Sequence, residues 1–218
     1  MMVYPEAYAH LYQKANGFKI KIYGPNEKEY VGYLSLEPST RSTYDIAMRD
    51  ATIDGIITVD DAEDIDLLEA GQIFYRVNKP EELFILQSVN EFEQQFYSRS
   101  INAIKQNSYV TIQRKGFDEE TGEEKYINIY EEIVSFVTTI NKDEKNFAAG
   151  VEDNTNISIQ IPKRDKEGNL YIVENGDRIV LSNLKKDFSK QVKVESTDEF
   201  SVPGVIKLFG TYETRTGE

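Results

Sequence analysis

The feature that most constrains the fold is a glycine-centred stretch that occurs twice. Residues 68–78 read Leu-Glu-Ala-Gly-Gln-Ile-Phe-Tyr-Arg-Val-Asn, and residues 173–183 read Val-Glu-Asn-Gly-Asp-Arg-Ile-Val-Leu-Ser-Asn, so that Gly71 and Gly176 stand 105 residues apart. In each copy a turn glycine precedes an apolar run rich in β-branched and aromatic residues, which is typical of a chain entering a β-strand. Because this spacing is close to half of the 218 residues, the repeat predicts two copies of one β-domain. Chance similarity between β-rich segments is the alternative.

Segments on both sides of the repeat support a duplication. Upstream, residues 51–57 correspond to residues 155–161, and downstream the segment Asn90–Phe92 corresponds to Asp198–Phe200. Two units of about 105 residues each have an ordinary domain size. We therefore predict a mainly β chain with three parts, which are an N-terminal helix over residues 1–17, a first β-domain over 18–107 and a second over 108–218.

Composition excludes several classes of function. The chain has no cysteine, which excludes disulfides, thiolate metal sites and cysteine nucleophiles. Its net charge is −13 and no cluster of five lysines and arginines occurs, so direct affinity for nucleic acid is not expected. No apolar run of about 18 residues predicts a membrane span, and the N-terminus lacks the pattern of a signal peptide. We expect a soluble intracellular product without membrane contact.

Local patterns predict the elements of each unit. Pro5–Asn16 has the apolar spacing and the flanking residues of a short helix. From Phe18 to Ile22 the pattern alternates with period two, which predicts an antiparallel strand that pairs with Tyr30–Leu36. Further strands are predicted at Thr52–Val59, Gln72–Val77, Leu83–Phe92, Ser100–Ile104, Tyr109–Arg114, Lys125–Ile129, Glu132–Thr139, Asn156–Ile161, Leu170–Val173, Val180–Leu181, Gln191–Val194 and Val205–Phe209. A helix over Glu91–Gln106 is the alternative to the strand there.

Two long polar segments without apolar periodicity, Glu37–Asp50 and Asn141–Asp153, are predicted to be loops. Long loops of compact β-domains often carry contacts to neighbouring molecules. The candidate interface residues on these loops are Ser39, Thr40, Arg41, Tyr44, Lys142, Lys145 and Phe147.

The usual chemistry of active sites is not indicated. The only histidine, His10, is interpreted as structural, and no G-x-S-x-G motif or phosphate-binding glycine-rich loop occurs. The acidic run Asp60–Asp66 lacks the glycine and the terminal acid of a calcium loop, and Asp165–Asn169 is predicted to be a hairpin turn. We expect no enzyme activity, no cofactor and no metal.

The second unit resembles the tailed-phage head-tail joining proteins, the stopper or head-completion family. The resemblance is carried by Val110–Arg114, the acidic-glycine turn Asp118–Glu123, the strand residues Ile133–Val137 and the segment Glu174–Val180. In that family an opening strand with an arginine, an acidic-glycine hairpin, a valine strand, a long loop and a Gly-Asp strand recur in this order. The first unit matches loosely, because Gln72 follows Gly71 in place of the aspartate and the opening arginine is absent.

This resemblance implies a small SH3-like β-barrel in each unit, and hence two tandem small antiparallel β-barrel domains. It also implies a virion protein, assembled in the host cytoplasm as a homo-oligomeric ring, hexamer or dodecamer, that joins the portal or adaptor to the tail. DNA would pass through the ring without specific binding. Family members commonly have one domain. Six two-barrel copies would therefore offer twelve similar domains, which could match a twelvefold portal to a sixfold tail.

Other functions remain open at the level of sequence. The same barrels could belong to a tail or baseplate component, or to a non-enzymatic protein-binding module. A hydrolase would require a pair of carboxylates with perturbed titration in a cleft.

Overall fold

The fold consists of two closed antiparallel β-barrels with six strands each. The computed structural model describes residues 15–23, 29–37, 51–59, 66–90, 98–117, 121–140, 155–165 and 167–213. Barrel 1 contains strands β1 Phe18–Tyr23, β2 Glu29–Glu37, β3 Thr52–Val59, β4 Ile73–Arg76, β5 Lys79–Val89 and β6 Ser98–Lys105. Barrel 2 contains β7 Ser108–Phe117, β8 Glu124–Thr139, β9 Ile157–Pro162, β10 Arg178–Asn183, β11 Ser189–Asp198 and β12 Val205–Tyr212. The predicted fold class, two tandem small β-barrels, is confirmed.

Both barrels have the same topology. The strands of barrel 1 follow each other around the barrel in the order β1-β2-β3-β6-β5-β4, and those of barrel 2 in the order β7-β8-β9-β12-β11-β10. Each barrel therefore consists of two three-stranded meanders that pair with each other at both edges. Closure leaves no strand edge of the sheet open around the barrel.

Alternation along the strands explains how each barrel fills its interior. In β1, Ile20 and Ile22 are buried, whereas Lys19 is exposed. At the centre of barrel 1, Phe74 and Phe84 are directly paired across β4 and β5, and their rings stack with centroids 5.1 Å apart. In β9 of barrel 2 all six residues are buried, with three isoleucines contributing to the core. Small barrels of this kind are filled by side chains rather than by solvent.

An irregularity recurs at the same place in both barrels. The ladder between β5 and β6 shifts register between Leu86 and Ser88, and the ladder between β11 and β12 shifts between Val194 and Ser196. Bulges of this kind bend a strand and increase its twist, which barrel closure requires. The shared bulge supports a duplicated unit more specifically than the letter-by-letter match does.

By compactness the chain divides into two units. The first comprises Met1–Gln106 with the short segments Arg164–Asn169 and Val202–Val205, and the second comprises the rest of the second half. All described strand pairs lie within one barrel, β1 to β6 or β7 to β12.

Several sequence predictions differ from the observed elements. One continuous strand, β8, replaces the two predicted strands Lys125–Ile129 and Glu132–Thr139. Glu132 has a positive φ of 52°, but this irregularity does not end the strand. Leu170–Val173 is not a strand, since only Leu170 makes an isolated bridge. Residues 98–105 form a strand rather than the alternative helix. Most of the predicted helix Pro5–Asn16 lies outside the described residues, and its last two residues have helical backbone.

Candidate interaction surfaces

The repeated glycine of barrel 1 forms a turn that is tied to a neighbouring strand. Gly71 has a φ of 95°, a conformation that side chains rarely adopt. Its N–H donates to the Leu86 carbonyl at 2.6 Å, and the Leu86 N–H donates to the Gln72 carbonyl at 2.8 Å. The Gln72 side chain accepts a hydrogen bond from the Glu69 N–H at 3.1 Å. The turn therefore fixes how the chain enters β4.

The turn of barrel 2 has the same hydrogen bonds at the corresponding positions. Gly176 has a φ of 91°, and its N–H donates to the Val194 carbonyl at 2.8 Å. The Val194 N–H donates to the Asp177 carbonyl at 2.9 Å, and the Asp177 carboxylate accepts the Glu174 N–H at 2.9 Å. The weak sequence repeat thus reflects one turn built twice.

Barrel 2 adds an ion pair that holds this turn on β7. The Arg114 guanidinium donates to both oxygens of Asp177 at 2.9 and 2.8 Å, and to the Ile172 carbonyl at 3.1 Å. It also lies 2.8 Å from the Glu174 carboxylate. The Asp177 side chain is 3% exposed, and its hydrogen bonds raise the pKa of Arg114 above the ordinary value. The two partners form a bidentate pair that joins β7 to the turn before β10.

The register explains why barrel 1 lacks this pair. In barrel 2, Gln113 is paired with Arg178. In barrel 1, Tyr23 is paired with Ile73, which lies 105 positions before Arg178. Tyr23 therefore corresponds to Gln113. The position after Tyr23, which corresponds to Arg114, is a glycine in the sequence. The neutral Gln72 stands where barrel 2 has the aspartate, so that both charges are absent together.

A two-stranded projection, the β7–β8 arm, extends beyond this ion pair. β7 pairs with β10 only as far as Gln113, whereas its pairing with β8 continues to Phe117 and Glu124. β8 pairs with β9 only from Phe136 onward. The arm, residues 114–117 and 124–127, exposes Phe117, which is 67% accessible. At its base the Arg178 guanidinium lies 3.5 Å from the centroid of Tyr126.

The opposite end of barrel 2 carries a basic surface with exposed apolar side chains. This surface, the β10–β11 hairpin, comprises residues 184–190 and includes three lysines and one aspartate. Asn183 and Asp187 hydrogen-bond each other and so shape the turn. Lys190 lies 5.6 Å from the centroid of Phe188 and 4.6 Å from that of Tyr212.

Two of these lysines have no nearby carboxylate among the residues that the structure describes. Within the described ranges, no carboxylate oxygen lies within 4.0 Å of the Lys185 or Lys190 ammonium, whereas Lys186 contacts Glu132. Leu184 and Phe188 are 46% and 54% exposed. The hairpin therefore combines positive charge with apolar area in a chain whose net charge is −13.

At the far end of β11 an acidic turn exposes one aromatic side chain. Asp198 accepts hydrogen bonds from the N–H groups of Phe200 and Ser201, each at 3.0 Å. A bond from the Ser201 side chain, together with these two, lowers the pKa of Asp198. Phe200 is 93% exposed. The turn is thus ordered by hydrogen bonds although its largest side chain faces solvent.

In barrel 1 the basic residues at the corresponding end are neutralised. The Glu82 carboxylate lies 3.0 Å from Lys105 and 3.6 Å from Lys79, and it also contacts Arg76. These contacts, first of all the hydrogen bond from Lys105, lower the pKa of Glu82 to about 2. The Arg76 guanidinium also lies over the Phe18 ring at 5.4 Å. This end of barrel 1 is a closed charge network rather than an open basic surface.

The residues selected from sequence fall outside the described residues. These are Ser39, Thr40, Arg41, Tyr44, Lys142, Lys145 and Phe147, together with His10 and residues 60–65 of the acidic run. The ends of the second loop are described, and the Ile140 N–H donates to the Asn156 carbonyl at 3.1 Å. β8 therefore ends, and β9 begins, at the same end of barrel 2 as the β10–β11 hairpin. In the part of the chain that is described, no group of three potential metal ligands converges and no helix is long and apolar enough to cross a membrane.

Sequence reasoning missed the exposed residues of barrel 2. Phe188 and Phe200 each stand in a short polar segment next to charged residues, where an aromatic residue has no strand periodicity to explain it. The repeat includes Phe200 but gives no indication of its exposure. A search for single aromatic residues in charged turns would have selected both.

Comparisons with known proteins give no close relative. No family model matches the chain, and no curated protein does so. A solved structure of MrkH, described as a c-di-GMP-dependent transcription regulatory factor, is 10% identical over 97% of this chain and 83% of that chain, with a TM-score of 0.21. K. pneumonia MrkH in its apo state is also 10% identical, over 97% of this chain and 84% of that chain, with a TM-score of 0.21. Similarity at this level carries no argument about function.

Proposed function

We propose that this chain is a structural virion protein of a tailed phage, a stopper-like subunit of the head-tail connector. In this role it forms a homo-oligomeric ring that joins the portal to the tail and lines the DNA channel. The observation that carries the proposal is the Arg114 ion pair. It brings together the arginine of the opening strand and the Glu174–Asp177 segment, which are two separate parts of the resemblance to the head-tail joining family.

The charge and the surfaces of the chain fit this role. A channel lined by chains that each have a net charge of −13 repels the phosphates of DNA, so that DNA can pass without being retained. The β10–β11 hairpin and the acidic turn that exposes Phe200 offer contacts to neighbours from opposite ends of barrel 2. A ring subunit requires such surfaces, because each copy contacts a copy on either side.

Deletion of the gene from a phage that carries it tests the proposal. We expect DNA-filled heads and free tails that do not join, together with heads that lose their DNA, and we expect a plasmid copy of the gene to restore complete particles. Complete particles without the protein would overturn the proposal. Normal heads with misassembled tails would favour a tail or baseplate component instead.

The mass of the purified assembly tests its stoichiometry. Six chains of 25.0 kDa give a ring of about 150 kDa that presents twelve barrels. Native mass spectrometry distinguishes this ring from one with twelve copies. Twelve copies would contradict the symmetry-matching interpretation but not the connector itself.

A further inference from the structure

The turn that exposes Phe200 has the properties of a docking element. Within residues 195–201 the sequence has three acids and no basic residue. Among the large apolar side chains that the structure describes as exposed, Phe200 is the most accessible, at 93%. Because Asp198 fixes the turn through two backbone hydrogen bonds, binding through Phe200 would require little ordering of the backbone.

The β10–β11 hairpin has the complementary properties. Its residues 184–190 carry a net charge of +2. Leu184 and Phe188 offer apolar area, and Lys185 and Lys190 lie beside it without a carboxylate partner among the described residues. An aromatic side chain flanked by acids therefore complements this surface in two ways, because its ring can pack on the apolar side chains and the acids can face the lysines.

The two surfaces are at opposite ends of one strand. β11 begins at Ser189, inside the hairpin, and ends at Asp198, the first residue of the turn 198–201, here called the Phe200 turn. Ten residues of extended chain span about 30 Å. Barrel 2 cannot bring its own Phe200 onto its own hairpin, so the surface that Phe200 fits is that of another copy.

We propose that the Phe200 turn of one copy docks on the β10–β11 hairpin of the next copy, with Phe200 packed between Leu184 and Phe188. Glu199 then faces the lysines of the hairpin. Since different surfaces meet, the contact is heterologous, and it repeats from copy to copy until a ring closes. This inference rests on the proposed ring and names its contact.

A nucleic acid is the other class of partner that a basic surface with aromatic side chains could bind. The charge of the chain disfavours it, because a duplex approaching the hairpin is repelled by a protein with a net charge of −13. The acidic turn, in contrast, is present once in every copy and carries the matching charge. The observations therefore favour a second copy.

Two variants of the full-length chain test each side of the contact. Phe200→Ala removes the docked ring, and Lys185→Glu with Lys190→Glu reverses the charge of the hairpin. We expect the dissociation constant for self-association to rise about 30-fold for the first variant and about tenfold for the second. Analytical ultracentrifugation measures these values, and circular dichroism checks that both variants fold like the wild type.

Matched controls are available on other exposed surfaces. Phe117→Ala removes a phenylalanine that is 67% exposed on the β7–β8 arm. Lys19→Glu with Lys125→Glu reverses two exposed lysines outside the hairpin. Both controls should associate like the wild type.

A mixture of the two test variants gives the sharpest result. The Phe200→Ala chain keeps an intact hairpin, and the hairpin variant keeps an intact Phe200. One contact can therefore form between the two variants, but neither chain retains a second surface to bind a third copy. We expect the mixture to give a heterodimer of about 50 kDa, from chains of 25.0 kDa. Larger assemblies in this mixture would overturn the inference.

The remaining outcomes separate this contact from the proposed function. A ring that forms normally with Phe200→Ala overturns the contact and leaves the connector in place. A wild-type chain that stays monomeric at all concentrations overturns both. If the hairpin variant self-associates like the wild type but loses binding to a 30-base-pair DNA duplex, the partner is nucleic acid and the contact is wrong.

Discussion

Replacing Arg114 by methionine should destabilise barrel 2, because it removes one partner of a bidentate ion pair whose other partner, Asp177, is buried. Arg114 makes two hydrogen bonds to Asp177, one to the Ile172 carbonyl and an ion pair with Glu174. Methionine keeps much of the apolar stem but none of these bonds. The Asp177 carboxylate, which is 3% exposed while Arg114 is present, then keeps only the bond from the Glu174 N–H.

The expected loss follows from the burial of the two partners. Removing one member of a buried ion pair costs about 3–5 kcal/mol, because the other charge stays desolvated. The Arg114 side chain is 33% exposed, so water can enter where the guanidinium was, and the lower end of that range applies. The ion pair with Glu174, whose side chain is 59% exposed, adds only a few tenths of a kcal/mol. We expect Arg114→Met to lower the free energy of unfolding of barrel 2 by about 3 kcal/mol.

Hydrogen exchange of the full-length chain, read by mass spectrometry, measures this loss separately for each barrel. Peptides from β7 and β10 report on barrel 2, and those from β1 and β4 provide an internal reference. The double variant Arg114→Met, Asp177→Asn should recover at least half of the loss. An asparagine can still accept the Glu174 N–H, as Gln72 accepts the corresponding bond in barrel 1, and no buried charge remains.

Lys115→Met serves as the matched control, because Lys115 follows Arg114 in β7 and its ion pair with Glu124 is exposed on both sides. It should change stability by less than about 1 kcal/mol. If Arg114→Met costs no more than this control, or if the double variant is no more stable than Arg114→Met, the ion pair does not hold the turn.

Two further predictions concern the stability of the separate barrels. The pKa of Glu82 is lowered from 4.5 to about 2. The ionised carboxylate therefore stabilises barrel 1 above about pH 4.5, and this stabilisation is lost as the pH falls toward 2. Glu82→Gln should destabilise barrel 1 by about 2 kcal/mol at pH 7 and by little at pH 2. Urea titrations at pH 7, 4 and 2 measure this, and a difference that is constant with pH would contradict it. Gly176→Ala should cost about 1 kcal/mol in barrel 2, because φ is 91° and nothing lies within 4 Å of an added Cβ, so that only backbone strain contributes. Gly176→Asn should cost less, since asparagine tolerates this conformation, and an alanine variant as stable as the wild type would show that the turn relaxes.

The sequence predicted the architecture because local signals and the fold agree. The repeated glycine marks a turn with positive φ in both copies, and the strand Thr52–Val59 has the predicted bounds. β-branched residues in period-two runs leave few alternatives to a strand. Closure into a barrel and the pairing of β1 with β4 depend on contacts between distant residues, which a single sequence does not encode in its periodicity.

The candidate surfaces were harder to predict. Arg114 and Asp177 are 63 residues apart, and only the folded register shows that they form one bidentate pair. The exposed aromatic residues were missed because a hydrophobic residue is by default assigned to the core, whereas Phe200 lies in a turn whose backbone donates two hydrogen bonds to Asp198. Residue type gives the chemistry of such a side chain, but its exposure depends on where the strand ends.

The separation of the strand pairs into two halves has a consequence for the synthesis of the chain. The strands of barrel 1 are complete once Lys105 has been translated and has left the exit tunnel, whereas barrel 2 lacks its last strand, β12, until Tyr212 has been translated. At bacterial and eukaryotic rates of about 5–20 residues per second, the first barrel can close about 5–20 s before the second is complete. The six strands of barrel 1 can therefore pair with each other while the second half is still being made, which lowers the chance that strands of two such similar sequences exchange.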